Sequence, residues 1–245
     1  MNRFIVDRIG LEDKFIILND PEQLHHLRDV LRIKPPEKVA VFDNLGNEYI
    51  TVVVAIGSKE AKLEVKEKCS PEDSGISLTV ACAIPKKVKM DDIVDKLTQL
   101  GVECIIPLET ERVIVRLSKE KKIERHQRWE KIALSAAKQS QGCRLVRINP
   151  VSTLKDVFLS PDRFDLKLIP TLEGRRRTLK EIFNQDCTKL AKVIVLIGPE
   201  GDFTNDEIIL AKKFGFLPVS LGKRVLRVDT AAIAVASYIK LNEAN

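Results

Sequence analysis

Three apolar runs in the C-terminal half of the chain end in loops whose residues suit the binding of a small ligand. Val193–Ile197 runs into Gly198-Pro199-Glu200-Gly201-Asp202, and Pro218–Leu221 into Gly222-Lys223-Arg224-Val225-Leu226-Arg227. Phe164–Ile169 runs into Pro170-Thr171. Glycine at a strand end lets a ligand approach the main chain and leaves amides exposed for hydrogen bonding. Ordinary turn-making is the competing explanation for the same glycines. No Gly-x-Gly-x-x-Gly fingerprint and no phosphate loop occurs, which disfavours a standard dinucleotide or nucleoside-triphosphate site.

A second chemistry is carried by charge. The chain has 41 Lys and Arg against 35 Asp and Glu, a net +6. Residues 1–70 are close to neutral, with 11 basic and 12 acidic side chains. The window Arg112–Arg147 holds 11 basic residues and only Glu120, Glu124 and Glu130 as acids, a local +8. Clustered basic residues are the footprint expected for a polyanion, or else a solvated helix face. Anionic lipid is the weaker partner, because no Trp/Phe/Leu-rich face stands opposite the charges.

Other reactive groups are few. Cys69, Cys82, Cys104, Cys143 and Cys187 lie 13, 22, 39 and 44 residues apart. That spacing fits neither a zinc knuckle nor a disulfide framework. Cys82 and Cys104 sit in strand-like apolar runs and read as buried spectators. His25, His26 and His126 are the only imidazoles, so neither a metal site nor a nucleophile–histidine pair is expected.

The elements that must position these loops follow from periodicity. The 245 residues suffice for one large domain or two modest ones. Short strand-like runs at Phe4–Val6, Phe15–Leu18, Val39–Asp43, Tyr49–Ala55 and Lys62–Lys66, with a turn at Asp43–Gly46, predict a small closed β-barrel over residues 1–70. One helix interrupts it, capped by Asp20, with Pro21 in its first turn and Leu24, Leu27, Val30 and Leu31 on its apolar face. Residues 71–75 read as a polar linker. From 76 to 245, strand-like runs at Leu78–Ile84, Cys104–Leu108, Phe164–Ile169, Val193–Ile197 and Pro218–Leu221 alternate with helical patterns, which predicts an α/β domain with a parallel sheet. Thr204 and Glu207 form a capping box for a helix ending at Gly215. The last helix, Thr230 to Leu241, is apolar nearly all round and must be buried against the sheet or a partner subunit. No apolar run approaches the length of a membrane span and no secretory signal is evident, so a cytoplasmic protein is expected.

The paired segments Ile197-Gly198-Pro199-Glu200-Gly201 and Leu221-Gly222-Lys223-Arg224-Val225-Leu226-Arg227-Val228-Asp229-Thr230-Ala231 resemble the signature segments of the ribosomal RNA small-subunit methyltransferase E family. Further matches fall in order along the chain: His26 to Arg32, Lys89-Met90, Lys96 with Leu100-Gly101-Val102, Pro107 with Thr110-Glu111-Arg112, Arg128 to Ile132, and Ala136 to Ser140. The resemblance covers almost the whole chain. It departs from the commoner pattern at Gln99 and Lys138, each in place of Glu, at Asp202 in place of Gly, at Asp229 in place of Glu, and at Gly142 in place of Arg.

The resemblance implies a SPOUT-class methyltransferase with a deep trefoil knot in its parallel-sheet domain and a PUA-like N-terminal β-barrel. It further implies a homodimer formed through the knotted domain. The implied cofactor is S-adenosylmethionine, and the implied reaction methylation of N3 of one uridine in 16S ribosomal RNA. Cofactor contacts are implied at Pro170, Thr171, Leu196, Ile197, Gly198, Pro199, Gly201, Leu221, Gly222, Val225, Leu226, Thr230 and Ala231. Arg112, Arg144 and Arg227 are candidates to offset charge on the deprotonated uracil, and Glu200 to accept a proton. RNA contacts are expected at Arg28, Arg32, Lys86, Lys89, Arg112, Arg116, Lys121, Lys122, Arg125, Gln139 and Arg144. Trp129 reads as core rather than as a base-stacking platform. Two alternatives stay open: a SPOUT enzyme acting on a ribose 2′-hydroxyl or on transfer RNA, and a non-enzymatic RNA-binding protein.

Overall fold

The structure, a computed structural model, describes residues 1–6, 14–43, 47–69, 75–85, 89–112, 117–140, 145–172, 174–184 and 191–242. The chain divides into two compact units, residues 1–73 with 137–145 and residues 74–136 with 146–245. Most of the segment read as a linker, and the centre of the turn at Asp43–Gly46, lie outside the described residues.

The first unit is built on β1 (Arg3–Val6), β2 (Phe15–Leu18), β3 (Lys38–Asp43), β4 (Glu48–Ile56) and β5 (Ala61–Cys69), hydrogen-bonded in the order β1-β3-β4-β5-β2. β1 runs parallel to β3 and the remaining pairs are antiparallel. The alternation in β2 and β4 sends Ile16, Leu18, Tyr49 and Val53 inward, where they meet Phe4, Val39, Val41 and Leu63. Helix α1 (Pro21–His25) starts as its sequence requires, with the Asp20 carboxylate accepting from the Gln23 amide at 2.9 Å and Pro21 in the first turn.

That helix departs from expectation in its second half. His26–Val30 winds as a π-helix, with the Leu31 amide donating to the His26 carbonyl at 2.8 Å, and Arg32 follows at φ +54°. The wider turn rotates the apolar face. Leu27 stays fully buried, but Val30, predicted to face the core, is 56% exposed.

The second unit carries an all-parallel sheet. Its strands are β6 (Ser77–Ala83), β7 (Cys104–Glu109), β8 (Arg147–Ile148), β9 (Ser152–Thr153), β10 (Leu166–Pro170), β11 (Arg177–Thr178), β12 (Lys192–Ile197) and β13 (Leu217–Ser220). Their order is β11-β13-β10-β12-β6-β7-β8, with β9 also pairing β7. Helices α2 (Lys89–Gln99), α3 (Lys119–Ser140, up to Ala136), α4 (Leu154–Phe158), α5 (Leu179–Phe183), α6 (Asn205–Lys213) and α7 (Val228–Asn242) complete it. Because side chains alternate, β12 serves two cores. Val193, Val195 and Ile197 join α2 and α7 on one face, while Ile194 and Leu196 join Ala211 and Phe216 on the other.

The capping box at Thr204 forms as predicted and α6 gives way at Gly215, where φ is +85°. The final helix is less uniformly buried than its sequence implies. Ala231, Ala232, Val235, Ala236 and Ile239 face the core with Val94 and Leu97 of α2, whereas Thr230, Ala234 and Leu241 are exposed. Cys82 and Cys104 are buried free thiols, and burial pushes both upward in pKa. No helix among the described residues is long and apolar enough to cross a membrane.

Candidate cofactor and RNA site

The carboxyl ends of the adjacent strands β12, β10 and β13 enclose a cavity of about 230 Å³. This is where ligands collect in open α/β sheets, because the loops there are free of the ladder and face outward together. Eleven of the thirteen residues singled out for cofactor contact line it: Pro170, Thr171, Ile197, Gly198, Pro199, Gly201, Leu221, Gly222, Val225, Leu226 and Ala231. Leu196 does not. It is fully buried on the opposite face of β12, packed in the cluster that holds Phe203 and Ala211. Thr230 also stays off the wall, exposed on the first turn of α7.

Glu200 and Arg227, singled out for chemistry, lie on the same wall, and the structure adds Leu172, Arg176, Asp202, Arg224 and Val228. Arg176 bends back to donate to the Thr171 carbonyl at 2.7 Å, which stiffens the loop after β10. Nothing periodic in the sequence points to Arg176 or Leu172. Both lie in the connection between β10 and β11, two strands that flank β13 and run parallel to it.

The cavity has mostly apolar walls, a main chain brought close by glycine, and charged side chains among its lining residues. At Gly201 (φ +101°) and Gly222 (φ +111°) an added Cβ would meet nothing within 4 Å, so the glycine is required by backbone conformation and opens onto free space. Gly198 is constrained differently: a Cβ there would come within 3.0 Å of the buried Phe203 ring. This donor set fits an adenosine-like group, which needs main-chain hydrogen bonds between apolar walls rather than a cluster of cations.

The loop after β7 reaches the same glycine segment. Arg112 donates to the Gly201 carbonyl at 2.6 Å. Its neighbour Glu111 receives the Thr204 hydroxyl at 3.0 Å, and the Glu111 amide donates to Glu207 at 2.8 Å. Lys89, expected to touch RNA, is paired with Asp229 at 3.4 Å. Asp229 keeps a buried oxygen, Oδ1, with no partner among the described residues.

The basic window is one 22-residue helix for most of its length, and some of its charge is spent internally. Lys122 pairs with Glu109 at 2.7 Å. Arg128 donates to Oδ2 of Asp91, whose Oδ1 accepts from the indole of Trp129 at 3.1 Å. Trp129 is accordingly core, 1% exposed. Lys121 and Gln139 are exposed and Arg125 is half-buried. Lys86, Arg116 and Arg144 lie outside the described residues, as does Gly142.

In the first unit Arg28 is held by Asp29 through two bonds of 2.9 and 2.8 Å, while the exposed Arg32 stands just beyond the π turn. His25 contacts the same Asp29 at 2.8 Å, and His26 lies edge-on to the Phe4 ring. The Arg28 guanidinium, with His25 second, lowers the Asp29 carboxyl to about 2.

Comparison with known proteins gives a consistent picture. The family profile described as the RNA methyltransferase domain matches residues 72–240, and that of the RNA methyltransferase PUA domain matches residues 18–66. Ribosomal RNA small subunit methyltransferase E of Mesomycoplasma hyopneumoniae is 34% identical over 235 residues, covering 95% of this chain and 96% of that one. A methyltransferase of Legionella pneumophila, solved with bound SAM, is 30% identical with a TM-score of 0.78, covering 98% of this chain and 97% of that one. The Neisseria gonorrhoeae ribosomal RNA small subunit methyltransferase E, bound to S-adenosyl methionine, is 26% identical with a TM-score of 0.81, covering 99% of this chain and 98% of that one.

Proposed function

We propose, from the premise that this chain belongs to the ribosomal RNA small subunit methyltransferase E family, that it methylates N3 of a uridine in 16S ribosomal RNA with S-adenosylmethionine as donor. The observation that carries the reading is the cavity at the ends of β10, β12 and β13, walled by both glycine segments. A protein that only bound RNA would have use for the basic helix but none for this cavity.

When bound, the cofactor supplies an electrophilic methyl group and departs as a neutral thioether. The protein's part is to hold the donor and to make uracil N3 nucleophilic, which requires loss of its proton. Gly201 and Gly222 admit the adenosine moiety to the main chain, Gly198 makes room for the Phe203 ring behind it, and Ile197, Leu221 and Leu226 are the apolar walls. Arg227, on the cavity wall, and Arg112, on the Gly201 carbonyl, favour the anionic form of the uracil. Glu200, exposed at the same wall, is the acceptor proposed for the N3 proton. Fixing the nucleophile in line with the methyl group supplies the rest of the acceleration.

The wider reading includes a PUA-like RNA-binding domain over residues 1–70, a linker at 71–75, a trefoil knot in the domain from 76 to 245, a cytoplasmic location and a homodimer. The exposed Thr230, Ala234 and Leu241 of α7 offer small and apolar contacts for a second copy. The RNA contacts proposed are Arg32, Lys121, Arg125 and Gln139, with Arg116 and Arg144 close to the last three in sequence and Lys86 just before α2.

The test is methyl transfer to small ribosomal subunits that lack the modification, followed by mass spectrometry of the digested nucleosides. Methyl on uracil N3 is the result expected. Methyl on a ribose hydroxyl, or transfer to transfer RNA alone, would replace this reading with a sister specificity.

A further inference from the structure

Asp202 is a non-glycine residue in the left-handed region, φ +65°, at a position where the commoner family pattern has Gly. Asp adopts that conformation more readily than most residues, but at a cost that glycine avoids. Both carboxylate oxygens are used. Oδ1 accepts from the Phe203 amide at 2.8 Å, and Oδ2 accepts from the Leu172 amide at 2.7 Å, across 30 residues of sequence. The Asp202 amide donates to the Pro199 carbonyl at 3.0 Å, closing the glycine loop on itself.

Asp202 and Leu172 both line the cavity, one on the loop after β12 and the other on the loop after β10. A charged acceptor on a main-chain amide makes one of the stronger hydrogen bonds available, and here it spans two walls of one site. Leu172 is 44% exposed, so its own side chain adds little packing at that point of the loop. We infer that Asp202 is a positioning residue for the cofactor: it clasps the Leu172 loop to the glycine loop and fixes the width of the cavity before the donor enters. The inference rests on the proposed methyltransferase function for its consequence, but the clasp itself is independent of it.

Two variants separate the contributions. Asp202→Gly suits the left-handed backbone and removes the clasp, and Asp202→Asn keeps one oxygen able to accept from Leu172 while giving up the acceptor for the Phe203 amide. In cofactor-free protein, hydrogen exchange at the Leu172 amide is expected to be slow in the wild type and in Asp202→Asn and fast in Asp202→Gly. For methylation, KM for S-adenosylmethionine is expected to rise roughly tenfold in Asp202→Gly, as loss of one charge-assisted bond implies, with kcat and KM for RNA nearly unchanged and Asp202→Asn close to wild type. Equal Leu172 exchange in all three proteins would overturn the clasp. An unchanged cofactor KM in a folded Asp202→Gly protein, or an Asp202→Asn protein as impaired as Asp202→Gly, would overturn the positioning role. A protected Leu172 amide in a wild type that fails to bind S-adenosylmethionine would overturn the proposed function and leave the clasp standing.

Discussion

The guanidinium of Arg112 donates a 2.6 Å hydrogen bond to the carbonyl of Gly201, joining the loop after β7 to the glycine loop after β12 across 89 residues. That carbonyl belongs to a residue at φ +101°, so its direction is set by a backbone conformation that glycine alone adopts without strain. Arg112 thereby touches the cavity wall with one nitrogen, and the rest of its guanidinium is exposed.

Arg112→Ala is expected to lower kcat/KM for both cofactor and RNA, by about tenfold or more if one charged hydrogen bond is removed at each. Arg112→Lys should recover little, because a single ammonium cannot serve the carbonyl and a phosphate or uracil in the same planar geometry. Steady-state kinetics with each substrate varied in turn gives the answer. An effect confined to the RNA terms would detach Arg112 from the glycine loop.

The two glycine segments should fail in different ways. At Gly198 a Cβ lies within 3.0 Å of two carbons of the Phe203 ring, which is 2% exposed, so Gly198→Ala overpacks the core and should cost about 1–3 kcal/mol. At Gly222 a Cβ meets open space, and the penalty is the strained φ, on the order of 1–3 kcal/mol. Gly222→Val should therefore fold yet lose S-adenosylmethionine, its isopropyl group standing where the ligand approaches the backbone. Thermal melting paired with calorimetric titration distinguishes them, and retained affinity in folded Gly222→Val would remove this loop from the cofactor site.

In the basic helix Lys122 and Arg128 are engaged by carboxylates, and Lys121 and Arg125 are among the proposed RNA contacts. Replacing Lys121 and Arg125 with Glu should flatten the salt dependence of RNA binding by roughly 0.7 for each phosphate no longer neutralised, leaving cofactor affinity unchanged. Lys122→Ala should instead lower stability by up to about 1 kcal/mol, since Lys122 holds Glu109 at 2.7 Å. Unchanged salt slopes in the Lys121/Arg125 variant would return that face to solvent.

Asp29 sets an acid-range signature for the first unit. With its carboxyl lowered to about 2 from an ordinary 3.8, chiefly by Arg28, its contribution to stability is complete above pH 3.8 and is lost as pH falls through about 2. Carboxyl titration by NMR should find Asp29 still ionised at about pH 3, where an unperturbed Asp is mostly protonated. Arg28→Ala should move its midpoint back toward the ordinary value. An unshifted midpoint in the wild type would break the Arg28–Asp29 pairing.

Much of this arrangement was legible in residue order. The apolar runs before Pro170, Gly198 and Gly222 had to end together if the sheet was parallel, and their loops do share one cavity. Thr204 and Glu207 announced α6 because a capping box is written in four consecutive positions. The resemblance pointed to Leu196, whose side chain turns to the opposite face of β12: a family match at a strand position does not say which face the side chain takes. The π turn at His26–Val30 was hidden because Leu24, Leu27, Val30 and Leu31 fit an α-helical face, and only the extra residue in the turn moves Val30 outward. The short elements β8, β9, β11, α4 and α5 carry too few residues to establish a period. Asp202–Leu172 and Arg112–Gly201 join residues distant in sequence, and no local pattern encodes them.

The cavity between the loops after β10, β12 and β13 is proposed to hold the methyl donor. A crystal structure of the protein with S-adenosylhomocysteine tests it most directly. The adenosine is expected to be bounded by Ile197, Leu221 and Leu226, with hydrogen bonds to the main chain of the two glycine segments. Ligand density at any other place on a folded chain, with this cavity left to solvent, would contradict it.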